Sequence, residues 1–176
     1  MHGRARMRYS LVSIREVLDE EQVNAMRITD DTTRALAVDL HLLMADYWNE
    51  IDANNATNAT EFFTTDCEFA GQKGHAAVRA FYDNRAKRGQ RTTRHTFSNL
   101  RVEHQVSGRA KMWAVVVNYG ADGPPPITDF LGASLVTQLT CECARDAAGV
   151  WRFASLRAQP LFIGKEPYTR EQLVGR

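Results

Sequence analysis

The stretch TTRHTFSNLRV, residues 92–102, places a histidine, His95, near the start of a predicted strand. Histidine has an ordinary pKa close to neutral pH, so it can both accept and return a proton. Side chains on a strand alternate between two faces. One face would carry His95, Phe97, Asn99 and Arg101, and the other Arg94, Thr96, Ser98, Leu100 and Val102. His95 is therefore either a general base, or a histidine that is hydrogen-bonded within the sheet or at a subunit interface.

The residues that precede His95 predict three helices. The first begins at a cap formed by Asp30, Asp31 or Thr32. Its apolar residues recur at helical spacing: Leu36, Leu40, Leu43, Met44, Tyr47 and Ile51. Asn58 and Glu61, three residues apart, predict a capped second helix through Phe62 and Phe63. Residues 75–89 predict a third helix that ends at Gly89 and buries three side chains: Val78, Phe81 and Tyr82.

The residues that follow Gly89 predict long strands. Residues 92–106 and 109–120 flank a tight turn, and residues 127–145 and 149–163 follow a loop with three consecutive prolines. One short strand lies earlier, in the segment DCEFA. Helices followed by antiparallel strands predict an α+β fold, with a curved sheet wrapped on the helices.

Composition limits the class of protein and its partners. The 176 residues are 44% hydrophobic and 24% charged, and 22 basic against 21 acidic residues leave a net charge of +1. That balance favours neither nucleic acid nor an anionic membrane as a partner. No apolar run suits a signal peptide or a membrane span, so we expect a cytoplasmic protein. We predict an N-terminal extension over residues 1–30 with a short helix at 13–26, a domain over 31–165 and a tail over 166–176.

The cysteines and the known short motifs indicate neither a metal nor an organic cofactor. Cys67, Cys141 and Cys143 are odd in number and lack C-x-x-C spacing, so small buried side chains are the better interpretation than a disulfide or a zinc site. The glycine-rich, P-loop, nucleophile-elbow and zinc-protease motifs do not occur. This pattern favours acid/base chemistry over redox chemistry.

Three segments together resemble a known superfamily. They are YWNEID, FFTTDCEF, and the helix pattern G-x-x-A-V-x-x-F-Y that begins at Gly74. The chain over residues 31–165 is similar to the nuclear-transport-factor-2-like superfamily, and RHTFSNLRV and GVWRFASLRAQP resemble its SnoaL-like branch. The resemblance implies a cone-shaped fold, with a mixed but mainly antiparallel sheet that encloses an apolar pocket. Similar proteins include scytalone dehydratase, polyketide cyclases and the beta subunits of ring-hydroxylating dioxygenases.

The resemblance also implies a candidate site. In the dehydratase-like members, a histidine at the place of His95 pairs with an aspartate near the end of the first helix, and Asp52 is the matching residue here. Such a pair can abstract a proton next to an activating group. The alternative interpretation is that Asp52 only terminates its helix. Further residues are candidates for substrate binding, and the alternative for each is a role in packing or on the surface. They are Tyr47, Trp48, Phe81, Tyr82, Phe97, Asn99, Trp113, Phe130 and Arg157.

Two functions remain open at this point. The first is a cofactor-free lyase or isomerase that acts on a small apolar molecule through His95 and Asp52. The second is a non-catalytic subunit that binds a small molecule or assembles with a partner, as a dioxygenase beta subunit does. The strands from residue 109 to 163 offer more sheet surface than the helices cover, so we expect a homodimer, with a trimer as the second choice.

Overall fold

The computed structural model describes residues 30–87, 89–105, 108–128 and 130–164. The helix predicted at residues 13–26 and the tail predicted at 166–176 lie outside the described residues. Neither α-helix of the described chain is long and apolar enough to cross a lipid bilayer. The cytoplasmic location stays a prediction.

Helix α1 spans Asp31–Ala53 and confirms the first predicted helix. Its N-cap is Asp30, whose Oδ1 accepts a hydrogen bond from the Thr33 backbone N–H at 2.8 Å. The residues at helical spacing form its buried stripe: Leu36, Leu40, Met44, Tyr47 and Ile51. This stripe packs α1 against the sheet, with most of its contacts on one long strand, β3, described below.

The segment after α1 differs from the prediction in two places. A single 3-10 turn, Ala59–Phe62, replaces the second helix, and Asn58 makes no side-chain cap there. The Asn58 backbone N–H instead donates to Glu50 Oε1 at 2.6 Å. Strands β1, Phe63–Phe69, and β2, Gln72–Lys73, then lead into helix α2, His75–Ala86.

Helix α2 buries fewer side chains than predicted. Val78 and Tyr82 are buried as expected, but Phe81 is 43% exposed. The prediction for Phe81 was wrong because the helix face that contacts the core is narrow, and the Phe81 ring lies at its margin against Phe69 with centroids 5.1 Å apart.

Four long strands complete a six-stranded sheet: β3, Arg91–Gln105; β4, Arg109–Asp122; β5, Leu135–Arg145; and β6, Trp151–Ile163. The strand order is β2-β1-β6-β5-β4-β3. Every pair is antiparallel except β1 with β6, which is parallel. The α+β class and the mixed, mainly antiparallel sheet are therefore confirmed, although β5 begins at Leu135 rather than at residue 127.

A bulge in β3 changes which residues share a face with His95. The pairing of β3 with β4 shifts between Ser98 and Arg101, and Asn99 adopts a φ of 55°. The extra residue reverses the alternation beyond it. Leu100 and Val102 therefore pack on the core together with Phe97, whereas Arg101 is exposed. The predicted face for these positions was wrong beyond residue 98, since a strand of uniform period two does not allow for a bulge.

The core lies between one face of the sheet and the two helices. It contains the three cysteine side chains, all buried and free, as the sequence predicted. Cys141 and Cys143 face the same side of β5, where they pair with Met112 and Ala110 of β4. Strand β3 is an edge of the sheet, and α1 lies along it. This arrangement brings the last turn of the helix to the start of β3.

Candidate active site

Asp52 and His95 are in direct contact. The Asp52 Oδ1 atom lies 2.8 Å from Nδ1 of His95, and the Asp52 Oδ2 atom accepts from the His95 backbone N–H at 2.7 Å. The two side chains are nearly closed off from solvent, with 7% of Asp52 and 11% of His95 accessible. Because an ionised carboxylate only accepts hydrogen bonds, Nδ1 carries the proton, and in the neutral ring Nε2 then keeps its lone pair. This tautomer is the one that a general base needs.

The position of Asp52 is explained by the helix end and the sheet edge. Asp52 lies in the last turn of α1, where the helix dipole is negative and where no basic residue is present to offset it. The helix alone therefore disfavours a carboxylate at this position. The edge strand β3 supplies the compensating donors, since the outward N–H of an edge residue has no neighbouring strand to bond.

These donors outweigh the effect of burial on the pKa of the Asp52 carboxyl. Burial by itself raises the pKa of the Asp52 carboxyl, but the hydrogen bonds and charge of His95, with a further hydrogen bond from Thr93, bring that pKa below its usual value. Asp52 is accordingly ionised at neutral pH. Titratable groups whose pKa is shifted by burial together with a specific charged partner are enriched at functional sites.

Two residues that the sequence did not single out support Asp52. The buried Thr93 hydroxyl donates to Asp52 Oδ1 at 2.8 Å. Thr93 in turn lies 3.0 Å from Nη2 of Arg85, a half-buried residue near the end of α2. The period-two alternation that placed His95 on the inner face also places Thr93 there, so Thr93 was detectable from the sequence. Arg85 was not, because nothing local relates α2 to β3.

Trp48 fixes the plane of the His95 ring. The indole and imidazole rings are stacked, with centroids 4.2 Å apart and an angle of 11° between the planes. Trp48 precedes Asp52 by one turn of α1, so the same helix face presents both the stacking partner and the carboxylate. The Trp48 Nε1 atom is buried and has no hydrogen-bond partner among the described residues.

Asn118 contacts the other nitrogen of His95. It is directly opposite His95 in the β3–β4 pairing, is 5% exposed, and its Nδ2 is hydrogen-bonded to His95 Nε2. An amide N–H that donates to Nε2 agrees with a neutral ring protonated at Nδ1. Gly120 leaves room for this side chain, since a Cβ there would lie 3.2 Å from Asn118 Oδ1. Sequence analysis missed Asn118 because cross-strand pairing depends on the register.

The two described cavities lie away from His95. One, of about 570 Å³, is lined by residues of the 3-10 turn, β1 and the β5–β6 connection, His75 and Arg152 among them. The other, of about 300 Å³, lies between the α1–β1 connection and α2. Neither cavity is lined by His95 or Asp52. The apolar pocket expected at the dyad is therefore not one of these two cavities.

The remaining candidate residues divide between the core and the surface. Tyr47 and Tyr82 are buried and share a hydrogen bond between their hydroxyl groups. Burial raises the pKa of the Tyr47 hydroxyl well above its ordinary value, and the neighbouring Tyr82 adds to this effect. Phe97 lies on the same face as His95 and contacts His41, with ring centroids 4.8 Å apart. Of the predicted aromatic residues, Trp48 contacts the dyad directly, and Phe97 lies two residues along β3 from His95.

Five other candidates are separated from His95. Trp113 lies on the opposite face of β4 from Asn118, beneath the Lys111 ammonium group. Phe130 is exposed and packs near Tyr119 on that same outer side. Asn99 is exposed at the bulge, and Arg157 is exposed and paired with Glu68 at 3.1 Å. Phe81, at the margin of α2, contacts neither member of the dyad.

Comparison with known proteins places this chain in a family. No curated protein matches it in sequence, whereas many solved structures share its fold. A candidate scytalone dehydratase from Novosphingobium aromaticivorans is 20% identical with a TM-score of 0.67, covering 80% of this chain and 93% of that one. A candidate aromatic ring hydroxylase of the same organism is 22% identical with a TM-score of 0.56, covering 73% and 90%.

A third structure, a Nostoc punctiforme protein of unknown function with a cystatin-like fold, is 15% identical with a TM-score of 0.58, covering 76% of this chain and 92% of that one. At these identities the structures establish the fold and not the activity. The family model for the SnoaL-like domain matches residues 35–157, most of the described chain. The chain therefore belongs to the SnoaL-like domain family.

Proposed function

We propose that this protein is a cofactor-free lyase or isomerase, dehydratase-like or cyclase-like, in which His95 is the general base and Asp52 orients it. The observation that carries the proposal is the 2.8 Å contact between Asp52 Oδ1 and His95 Nδ1, since it leaves Nε2 as the basic atom. The similarity to a candidate scytalone dehydratase supports the same class of reaction.

The reaction step follows from the tautomer. His95 Nε2 takes a proton from a carbon next to a carbonyl group, and the electron pair of that C–H bond forms an enolate. In a dehydratase, the enolate then expels a β-hydroxyl group, which leaves as water with the proton from Nε2. The ring is a cation between these two events, and the Asp52 carboxylate and the stacked Trp48 indole both stabilise it.

Asn118 has a role at each stage of this cycle. In the described state the Asn118 amide is hydrogen-bonded to His95 Nε2, so a substrate must displace this amide before the proton is transferred. Once displaced, an amide N–H near the reacting carbon is a suitable donor to the enolate oxygen. The Trp48 ring stacks on the nitrogen base and the Phe97 ring lies on the same face of β3, which suits a small, apolar, cyclic ketone.

A cyclic β-hydroxyketone is a direct probe of this activity. Racemic β-hydroxytetralone loses water to give a fluorescent naphthol, so the rate is read without coupling enzymes. We expect the protein to accelerate naphthol formation, and His95→Gln to abolish the acceleration. A rate equal to that of buffer, for this ketone and for deuterium exchange into unsubstituted tetralone, would contradict the proposal.

A second function, that of a non-catalytic small-molecule-binding or assembly subunit, is favoured by one observation. His95 and Asp52 are nearly closed to solvent, and the two described cavities lie elsewhere. In that case His95→Gln would lower the melting temperature and weaken assembly, while neither protein would form naphthol.

A further inference from the structure

Arg85 is the third contact in a chain of hydrogen bonds that ends at His95. Its Nη2 lies 3.0 Å from Thr93 Oγ1, which lies 2.8 Å from Asp52 Oδ1, which lies 2.8 Å from His95 Nδ1. The guanidinium group only donates, and the carboxylate only accepts. The single hydroxyl proton of Thr93 must therefore point to Asp52, because its lone pair faces Arg85.

We propose that Arg85 is a positioning residue for the dyad, acting through the Thr93 hydroxyl to hold the Asp52 carboxylate ionised and in the plane of the His95 ring. The effect of this role on catalysis rests on the proposed function. The positioning itself does not depend on any substrate: a cation on α2 orders a carboxylate on α1 through a hydroxyl on β3.

The charges around the chain of contacts favour this role. Asp52 receives donors from two elements: His95, Thr93 and Arg94 on β3, with Arg94 Nη1 3.4 Å from the Asp52 backbone oxygen, and Arg85 on α2, which acts through Thr93. The Arg85 guanidinium polarises the Thr93 O–H bond and so strengthens the hydrogen bond that this hydroxyl donates to the Asp52 anion, and the hydroxyl between them keeps the guanidinium from competing with His95 for Oδ1. Besides Thr93, the groups that face Arg85 are the Asn55 side-chain oxygen at 3.4 Å and the buried Tyr47.

Two variants test the contribution of the Arg85 charge separately from that of the Thr93 hydroxyl. Arg85→Met keeps the length and packing of the side chain but removes the cation, and Thr93→Val keeps the shape of Thr93 but removes the hydroxyl. Thr93→Ser restores a hydroxyl and should restore the native behaviour. The matched control is Arg79→Met, since Arg79 is an exposed arginine on the same helix.

The test is the ¹³C NMR titration of the Asp52 carboxyl, which needs no substrate, together with naphthol formation from β-hydroxytetralone. We expect Arg85→Met and Thr93→Val each to raise the Asp52 titration midpoint by about half to one pH unit, and to slow naphthol formation about tenfold, as the loss of an indirect orienting partner does. The double variant should equal the single ones, because Arg85 acts through Thr93. Arg79→Met should change nothing.

An unchanged Asp52 titration in both Arg85→Met and Thr93→Val would overturn the inference, and so would additive shifts in the double variant. If Arg85→Met fails to fold, Thr93→Val against Thr93→Ser decides the question by the same titration. If the midpoints move as expected but no protein forms naphthol, the positioning role stands and the proposed function fails. The two failures are therefore distinguishable.

Discussion

The indole of Trp48 lies flat on the imidazole of His95, with ring centroids 4.2 Å apart and planes inclined by 11°. A ring held in this way can rotate only within its own plane, and the Asp52 contact to Nδ1 removes that freedom too. The direction of the Nε2 lone pair is thus set before a substrate arrives, which lowers the entropic cost of proton transfer.

Replacing Trp48 with Leu should slow naphthol formation about two- to thirtyfold, because stacking on a cationic ring is worth ~0.5–2 kcal/mol. The matched control is Trp113→Leu, since Trp113 is a half-buried indole on the outer face of the sheet. Equal losses in the two variants would show that Trp48 acts only through the stability of the fold.

Acid should destabilise the protein partly through Asp52. The folded-state pKa of Asp52 is below its usual value, so its contribution to the free energy of unfolding is complete above the unfolded pKa of ~3.9 and is lost as pH falls through the folded pKa. Urea unfolding from pH 6 down to acid should show a shallower loss of stability in Asp52→Asn. Parallel curves for the two proteins would contradict this linkage.

The positions of the two α-helices and the existence of a helix–sheet fold could be predicted because they depend on local spacing. The buried stripe of α1 recurs in the sequence, and the alternation in β3 placed His95 and Phe97 on one face. Asn99 and Arg101 were assigned to the wrong face of β3, because a bulge with a left-handed residue cannot be recognised from hydrophobic periodicity.

Alkaline pH should destabilise the protein through Tyr47. Burial raises the folded-state pKa of its hydroxyl well above the ordinary value, so its stabilising contribution is complete below the unfolded pKa of ~10 and is lost as pH rises above it. Tyr47→Phe should reduce the loss of stability between pH 8 and pH 11, measured by urea unfolding.

The buried thiols provide the comparison for Tyr47. Burial raises the pKa of Cys143 to about 12, so its neutral form is also favoured by folding. If Tyr47→Phe leaves the alkaline loss intact and Cys143→Ala reduces it, the thiols and not the tyrosine account for the effect.

We propose that the protein forms a homodimer through the outer face of its sheet, with a trimer as the second choice. Phe162 is 70% exposed and pairs with Val136, next to Val117 on that face. Light scattering at micromolar concentration should give the dimer mass, and Phe162→Glu should give the monomer mass. Val150→Glu, on the β5–β6 connection, is the control. A monomeric native protein would contradict the proposal.

The contacts that complete the site could not be predicted because they join separate elements. Asn118 meets His95 through the β3–β4 register, and Arg85 meets Thr93 through the packing of α2 beside the sheet. Asp52 was found through the family resemblance, while the sequence around it is equally typical of a helix end. The choice of an aspartate for the negative end of a helix is explained by its contacts with β3.

The most direct test of the central claim is a double-mutant cycle on His95 and Asp52, read as the rate of naphthol formation from β-hydroxytetralone. We predict that His95→Gln lowers the rate ~10²–10⁴-fold, that Asp52→Asn loses most of the activity, and that the double variant is little worse than His95→Gln because the two residues act as one unit. Arg101→Ala, a change at an exposed position on the same strand, should retain the native rate. Additive losses, or a His95→Gln protein that forms naphthol at the native rate and only melts at a lower temperature, would contradict the account.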